Sequence, residues 1–508
     1  MYDKHIVLNS KIKTRKHYMP ARNFIVAIEL GSTKIKGIAG QKKSDGRIDV
    51  LAVVTEDATQ CIRKGVVYNI DKTVQCITNI MQRLRSQLKS GIKHVYIGVG
   101  GQSIHSDLNV ITKEIAGEMP VTQQLIVDMM DQNRSMEYPE KEILDVEVQE
   151  YKADNLMQTE PVGVQCQRLE GNFLNILQSK RHYQKLNTCF EIADVKIAEV
   201  YLAPFALADA VLTPVEKRSG CVLVDLGADT TTVMVFHKNI IRHLAVIPLG
   251  GNNITKDICS LQVEEAEAEK LKLRYASAYT EPADIDPSLK YDLDYERKVE
   301  SSRFIDIVEA RVQEIVANAW NQVPQEFQDK LLGGIVLTGG GSNLKNIDVA
   351  FTKQTGVEKI RMAKFVTYTI SSSNPSITAH DGTMNTVLGL LAKGDQNCWQ
   401  PEEQKNQNLF NDDQQSSGAS LGNASQQGQP AENITPRDPN TLPPGAVQTM
   451  AEMEAAKAAA AAAAAKAAEE QRLAEEARKQ LEEEEARKKK PSIGSKIVKW
   501  LSSFTDEE

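Results

Sequence analysis

The fold is decided by two stretches of the same design, FIVAIELGSTKIKGIA at residues 24–39 and CVLVDLGADTTTVMVF at residues 221–236. Each reads as an apolar strand, an acidic residue, a glycine turn with hydroxyl side chains and a second apolar strand, which predicts a β-hairpin. Backbone N–H groups at the tip of such a turn bind anions. One hairpin of this kind is often purely structural. Because the design occurs twice, we predict a duplicated domain whose halves face each other across a nucleotide cleft.

A third stretch, GIVLTGGGSNL at residues 334–344, reads as a buried strand that ends in three glycines, with a helix beginning at Asn343 and Leu344. Positions without a side chain let the backbone approach a flat ligand closely, and a helix N-terminus favours a phosphate. Alone, this stretch would be a simple strand-to-helix turn. After two phosphate hairpins, it indicates a further wall of the same cleft.

In this order, the three stretches resemble the phosphate-1, phosphate-2 and adenosine motifs of the superfamily of actin, sugar kinases and heat-shock chaperones. Within that superfamily, VIPLGGNNITKD at residues 246–257 and EAEAEK at residues 265–270 resemble the FtsA family of bacterial cell-division proteins. The resemblance covers residues 23 to 394 and the C-terminus. It implies an α/β, actin-like and ribonuclease H-like duplicated fold with a relocated small subdomain (1C), and it implies bound ATP and Mg2+.

The predicted cofactor-binding residues lie in the two turns, the loop after the second hairpin, one helix and the glycine segment: Glu29, Gly31, Ser32, Thr33, Lys34, Asp225, Gly227, Asp229, Thr230, Thr231, Gly250, Gly251, Glu267, Lys270, Gly339, Gly340, Gly341 and Ser342. Glu29 and Asp225, at equivalent strand ends, are predicted to hold Mg2+ through water. The resemblance places Glu267 and Lys270, which share one helical face, on the adenine and ribose. The alternative is a solvent-exposed helix face.

Two departures from the family pattern concern the phosphates. Glu29 stands where the family usually has Asp, and Ala228 and Asp229 replace two glycines of the second turn. The Asp229 carboxylate should repel a phosphate unless a metal ion or Lys34 compensates. We therefore expect ATP binding with weak or absent hydrolysis, and the sequence identifies no catalytic residue.

Composition and the resemblance together predict the following segments: a basic, disordered extension at 1–22; subdomain 1A at 23–97 and 186–216; subdomain 1C at 98–185; subdomain 2A beginning at 217–257; subdomain 2B at 258–330; the end of 2A and the return to 1A at 331–394; a disordered polar linker at 395–447; a charged, alanine-rich helix at 448–490; and an amphipathic helix at 491–508. The net charge of -8 argues against a nucleic-acid partner. The seven scattered cysteines form no C-x-x-C pair, which indicates reduced cysteines in a cytoplasmic protein.

The last helix is predicted to lie flat on anionic lipid. Its apolar stripe has flanking lysines, as an interfacial helix requires, and the set comprises Ile493, Lys496, Ile497, Val498, Lys499, Trp500, Leu501 and Phe504. The alternative is a terminal helix docked on the protein's own core. No run of residues reaches the roughly 20 apolar residues that a membrane span needs.

The last helix predicts a peripheral membrane protein, and the resemblance implies a place on the cytoplasmic side of the inner membrane at the division septum. By resemblance, it binds ATP, polymerises with further copies of itself in an actin-like manner and tethers FtsZ filaments through the FtsZ C-terminal tail. Later division proteins would contact subdomain 1C. The alternatives are a small-molecule kinase of the same fold and an actin-like pilus-assembly protein.

Overall fold

The computed structural model describes residues 23–293 and 297–401 of the 508-residue chain. The predictions for the extension at 1–22, the charged helix at 448–490 and the amphipathic helix at 491–508 lie outside the described residues. Most of the linker predicted at 395–447 does so as well. Within the described ranges, no helix combines the length and the apolarity that crossing a bilayer demands.

The helices and strands follow one another in three groups. The first group is β1 (Ile25–Leu30), β2 (Lys34–Lys42), β3 (Ile48–Asp57), β4 (Ile62–Arg63), β5 (Val66–Val67), α1 (Ile70–Leu88), β6 (Gly91–Ile92) and β7 (Val95–Val99). The second group is β8 (His105–Glu114), α2 (Gln123–Arg134), β9 (Lys141–Ala153), β10 (Leu156–Gln158), β11 (Arg168–Ser179), α3 (Lys180–Ile192), β12 (Ile197–Leu202) and α4 (Ala203–Val211).

The third group completes the described chain. It comprises α5 (Pro214–Ser219), β13 (Cys221–Leu226), β14 (Thr231–His237), β15 (Ile240–Ile247), α6 (Gly251–Ile258), α7 (Glu265–Tyr275), β16 (Lys290–Asp292), β17 (Lys298–Glu300), α8 (Ser301–Asn321), α9 (Gln325–Gln328), β18 (Gly334–Thr338), α10 (Ile347–Thr355), β19 (Ile360–Met362), β20 (Ile370–Ser371), α11 (Pro375–Thr378), α12 (Asn385–Lys393) and β21 (Trp399–Gln400).

Two sheets repeat one topology. The first lobe is the sheet β12-β7-β1-β2-β3, with β20 added at the β3 edge, and the second lobe is β15-β14-β13-β18-β19. In each lobe three consecutive strands pair antiparallel, and the first of them also pairs parallel with a later strand. The two hairpins predicted from the sequence, β1–β2 and β13–β14, occupy equivalent central places. The duplication is therefore present in the fold.

The unit inserted between β7 and β12 belongs to the first half of the sequence but joins the second lobe. Its sheet, β10-β9-β11-β8, is linked to β15 by the pair His105 and Ala245. The Thr122 hydroxyl accepts a hydrogen bond from the Leu125 N–H (3.2 Å) and caps the start of α2. Met129 and Phe173 pack in a core of this unit's own.

The chain returns to the first lobe after β20 and stays there past the predicted boundary. Residues 395–401 were assigned to the linker, but the Asp395 carboxylate accepts a hydrogen bond from the Tyr96 hydroxyl (2.7 Å). Cys398 is fully buried and its N–H donates to the Phe24 carbonyl (2.8 Å). Trp399 then pairs with Ile92 in a short strand. The polar composition of this segment does not reveal these contacts, because all of them are made with residues that are distant in the sequence.

Helices α4 and α12 pack closely where the chain passes between the lobes. A Cβ built on Gly389 of α12 would lie 2.3 Å from the Ala206 carbonyl oxygen of α4, far inside van der Waals contact. Both helices present buried faces at this contact. Glycine at 389 is therefore a packing requirement.

Replacing Gly389 with valine should destabilise the protein, because the added side chain must push the two helices apart. We expect the free energy of unfolding to fall by about 3 kcal/mol, the upper part of the range for overpacked cores. The measurement is urea unfolding followed by circular dichroism. Thr386→Val, on a less buried face of α12, is the matched control, and equal unfolding midpoints for the two variants would contradict the close contact.

Candidate functional site

The two hairpin turns have the same backbone geometry. The Gly31 N–H donates to the Lys34 carbonyl (3.1 Å), and the Gly227 N–H donates to the Thr230 carbonyl (2.9 Å). Each turn follows an acidic residue by two positions, so that Glu29 and Asp225 are structural equivalents. The chain thus contains the same arrangement twice: a strand, an acidic residue and a four-residue glycine turn whose tip can face an anion.

The two acidic side chains face the same space. The Lys36 ammonium group lies 3.1 Å from the Glu29 carboxylate and donates to the Thr383 carbonyl (2.6 Å). The pKa of the Asp225 carboxyl is raised to about 6, mainly by burial and then by the negative charge of Glu29, while the positive charge of Lys36 opposes the rise. Two carboxylates in one partly enclosed space are an arrangement that a divalent cation relieves.

The glycine segment lies beside Asp225, but no α-helix begins where the sequence predicted one. Gly340–Asn343 form a 3-10 turn, and Asn346 has a positive φ of 58° before α10 begins at Ile347. The Ser342 hydroxyl donates to the Gly339 carbonyl (2.7 Å) and holds this turn. The left-handed residue interrupts the helix, so the N–H groups nearest the cleft belong to the 3-10 turn.

The glycines of this segment have different structural roles. Gly339 has φ of 83°, and a Cβ at this position would lie 2.2 Å from the Asp225 carboxylate. Gly340 is open, since the nearest atom to its Cβ would be the Thr383 methyl carbon at 3.6 Å. Gly339 is therefore required by the fold, whereas Gly340 leaves room for a ligand.

The loop after the second hairpin shapes the second turn. The N–H groups of Gly251 and Asn252, at the start of α6, donate to the carbonyls of Gly227 (3.0 Å) and Ala228 (2.7 Å). A Cβ on Gly250 would lie 2.5 Å from the Ala228 oxygen. The structure thus places Gly250 and Gly251 against the second turn, which they support.

Helix α7 requires a correction of two residues. Glu267 and Lys270 pair with each other (2.6 Å) on the exposed side of the helix, as the alternative interpretation expected. Lys272 lies instead against α6, where its ammonium group donates to the Gly251 carbonyl (3.1 Å) and pairs with Glu269 (2.7 Å). A shift of two positions turns a helix through about 200°, which separates these two pairs.

The Asp229 carboxylate is not compensated by Lys34, whose side chain is exposed. Its two oxygens accept hydrogen bonds from the Lys64 N–H (3.0 Å) and from the Asn252 side-chain amide (2.7 Å). Lys36 is the lysine that enters the cleft, because it stands opposite Glu29 in the β1–β2 register. The sequence pattern did not predict roles for four residues of this site, Lys36, Lys64, Asn252 and Lys272.

The chemistry of the site fits a magnesium nucleotide. Among the described residues, no cluster of three or more metal-binding side chains occurs, so that Glu29 and Asp225 would need water and phosphate oxygens to complete an octahedron, which is how proteins usually bind Mg2+. The Thr33 hydroxyl in the first turn is buried and has no hydrogen-bond partner within the described part of the protein.

Two family models and a solved structure match this chain. The family described as "Cell division protein FtsA" matches residues 222–382, and the "SHS2 domain inserted in FTSA" matches residues 101–177, within the inserted unit. A solved structure titled "PilM-PilN type IV pilus biogenesis complex" shares the fold, with a TM-score of 0.50, 15% identity and coverage of 73% of this chain and 98% of that one.

Curated relatives extend the match over most of the described chain. The cell division protein FtsA of Porphyromonas gingivalis is 31% identical over 392 residues, covering 75% of this chain and 80% of the relative. The FtsA of Neisseria meningitidis is 31% identical over 335 residues, covering 64% and 80%. With its duplicated actin-like fold and these relatives, this chain belongs to the FtsA family of cell division proteins.

Proposed function

We propose that this protein binds ATP with Mg2+ between its two hairpin turns and that the nucleotide-bound form polymerises and tethers FtsZ filaments to the inner face of the cytoplasmic membrane at the septum. The matched pair of turns, which directs Glu29 and Asp225 into one space, is the observation that carries the nucleotide part. Family membership separates this function from a small-molecule kinase or a pilus-assembly protein of the same fold.

Each part of the site has a task in this proposal. Glu29 and Asp225 hold the waters of the metal ion, which neutralises phosphate charge when bound. The backbone N–H groups of the two turns contact the phosphates, and Lys36 supplies a further positive charge. Gly340 borders the nucleoside. No side chain is assigned as a catalytic base, and the output of the bound state is assembly.

The membrane part of the proposal depends on the sequence of residues 491–508. Each large apolar side chain contributes at most about 1.5–3 kcal/mol when buried, and ordering each residue of the helix costs about 1 kcal/mol. A single helix of this length therefore binds lipid weakly and reversibly. A polymer joins many such helices, and each later contact becomes intramolecular. Assembly is thus what makes the attachment firm.

Replacing Gly340 with aspartate should abolish nucleotide binding without unfolding the protein. The new side chain enters open space next to Thr383 and places a negative charge beside the nucleotide, so that we expect ATP affinity to fall by at least about tenfold. Isothermal titration calorimetry with MgATP measures this. Ser44→Asp adds the same charge in an exposed turn and should leave the affinity unchanged, and unaltered binding by the Gly340 variant would contradict the placement.

Magnesium-dependent ATP binding should weaken in acid because the metal needs the ionised form of Asp225. With its pKa at about 6, the ionised fraction of this carboxyl falls from about nine tenths at pH 7 to about one tenth at pH 5, a loss of about tenfold in affinity. The pH dependence of ATP binding is measured in parallel for Asp225→Asn, which lacks the Asp225 contribution and retains only the protonation of ATP itself. Identical pH profiles for the two proteins would show that Asp225 does not hold the metal.

Replacing Trp500 with aspartate should release the protein from vesicles that contain anionic lipid. The substitution removes the largest apolar side chain of the stripe, and we expect binding to fall by at least about tenfold, corresponding to the loss of about 1.5–3 kcal/mol. Vesicle co-sedimentation of the full chain measures it. Ser502→Asp introduces the same charge on the other side of the predicted helix and should change binding little. Equal losses in both variants would indicate a charge effect and contradict an apolar contact.

A further inference from the structure

The tip of the β4–β5 hairpin lies between the two phosphate-binding turns. Its two central residues, Lys64 and Gly65, have positive φ angles of 50° and 73°, which point successive N–H groups out of the turn. A Cβ on Gly65 would lie 2.5 Å from the Gly101 Cα, and the Lys64 carbonyl accepts a hydrogen bond from the Gln102 N–H (3.0 Å). The segment that follows β7 therefore fixes the position of this tip.

Each of these N–H groups binds a different turn. The Gly65 N–H donates to the Ser32 hydroxyl of the first turn (2.9 Å), and the Lys64 N–H donates to the Asp229 carboxylate of the second turn (3.0 Å). The bond from Lys64 thus joins the two lobes. The other oxygen of Asp229 is held by the Asn252 amide (2.7 Å), which fixes the carboxylate in this direction.

The Asp229 charge is held without an ion pair among the described residues. Both of its hydrogen-bond donors, the Lys64 backbone and the Asn252 amide, are electrically neutral groups. This carboxylate therefore lies where the two turns meet, with only neutral groups as its hydrogen-bond donors. If a nucleotide lies as the proposed function requires, with its base near Gly340, the phosphate farthest from the base comes closest to this charge.

We propose that Asp229 is the residue that determines how the cleft discriminates between nucleoside triphosphates and diphosphates. Its carboxylate occupies the Lys64 N–H that a terminal phosphate would otherwise accept from, and it repels that phosphate. A diphosphate ends before this point and leaves the Lys64–Asp229 bond intact. This inference rests on the proposed nucleotide site and adds the cause of its selectivity.

The test compares ATP and ADP binding to the full chain and to two variants. Asp229→Gly removes the carboxylate, and Asp229→Asn removes the charge while keeping an oxygen for the Lys64 N–H. With Mg2+ present, we expect both variants to bind ATP about tenfold more tightly and ADP less than about threefold more tightly, as expected for a charge close to the terminal phosphate. Asp45→Asn, in the exposed turn at the other end of β2, is the matched control and should change neither affinity.

Hydrogen exchange of the Lys64 amide tests the bond itself. In the nucleotide-free protein, we expect this amide to exchange about tenfold faster in Asp229→Gly than in the natural chain, because a hydrogen bond across the lobes is lost. Addition of ATP to Asp229→Gly should slow the exchange again, because the terminal phosphate then accepts from this amide, and ADP should not. Equal exchange in all these states would overturn the proposed role of Asp229.

The outcomes separate this inference from the proposed function. Binding of both nucleotides with an unchanged ratio of affinities in the Asp229 variants would overturn the inference alone. Failure of the natural chain and of both variants to bind either nucleotide would overturn the proposed function and, with it, the assignment of selectivity.

Discussion

The placement of two acidic residues at equivalent ends of two central strands is the constraint on which the rest of the site depends. Glu29 and Asp225 are held by rigid sheets, so they cannot move apart without disturbing buried strands. In the protein alone, Lys36 offsets part of their repulsion, and burial together with the repulsion that remains raises the pKa of Asp225. The fold thus maintains an unfavourable concentration of negative charge that a magnesium ion would relieve, and such retained strain is typical of a binding site.

Much of this arrangement could be predicted from the sequence because it is local. A strand, a glycine turn and a second strand specify a hairpin whatever the rest of the chain does, and the repetition of that pattern specified the duplication. The position of Lys36 could also have been derived. A turn closed between Gly31 and Lys34 pairs Glu29 with Lys36, so the register itself selects the lysine that enters the cleft. Ala268, Leu271 and Tyr275 form the apolar stripe of α7. Lys272 lies on the same side of the helix as this stripe, whereas Lys270 lies on the exposed side, so this difference could also have been derived.

The rest could not be predicted because it depends on contacts between distant residues. Nothing near Lys64 in the sequence indicates that its backbone N–H reaches Asp229, 165 positions away. The polar composition after residue 394 suggested a linker, yet Cys398 is buried against the first strand. The same holds for the single pair between His105 and Ala245, through which the inserted unit extends the sheet of the second lobe. Such contacts follow from the assembled topology, which local patterns do not contain.

The bond between Lys64 and Asp229 changes what a nucleotide can contribute to assembly. A ligand shifts a conformational equilibrium only by the difference between its affinities for the two states. In this protein a side chain of the second lobe already bonds the first lobe, so the closed arrangement does not depend wholly on a bridging triphosphate. If residue 229 were a glycine, as in the family pattern, only the nucleotide would link the two lobes at this point. The carboxylate therefore makes the closed shape less dependent on the nucleotide, and it does so at the cost of affinity for the triphosphate. A protein whose proposed function is assembly can tolerate this lower affinity for the triphosphate, whereas an enzyme that must turn over ATP would work more slowly because of it.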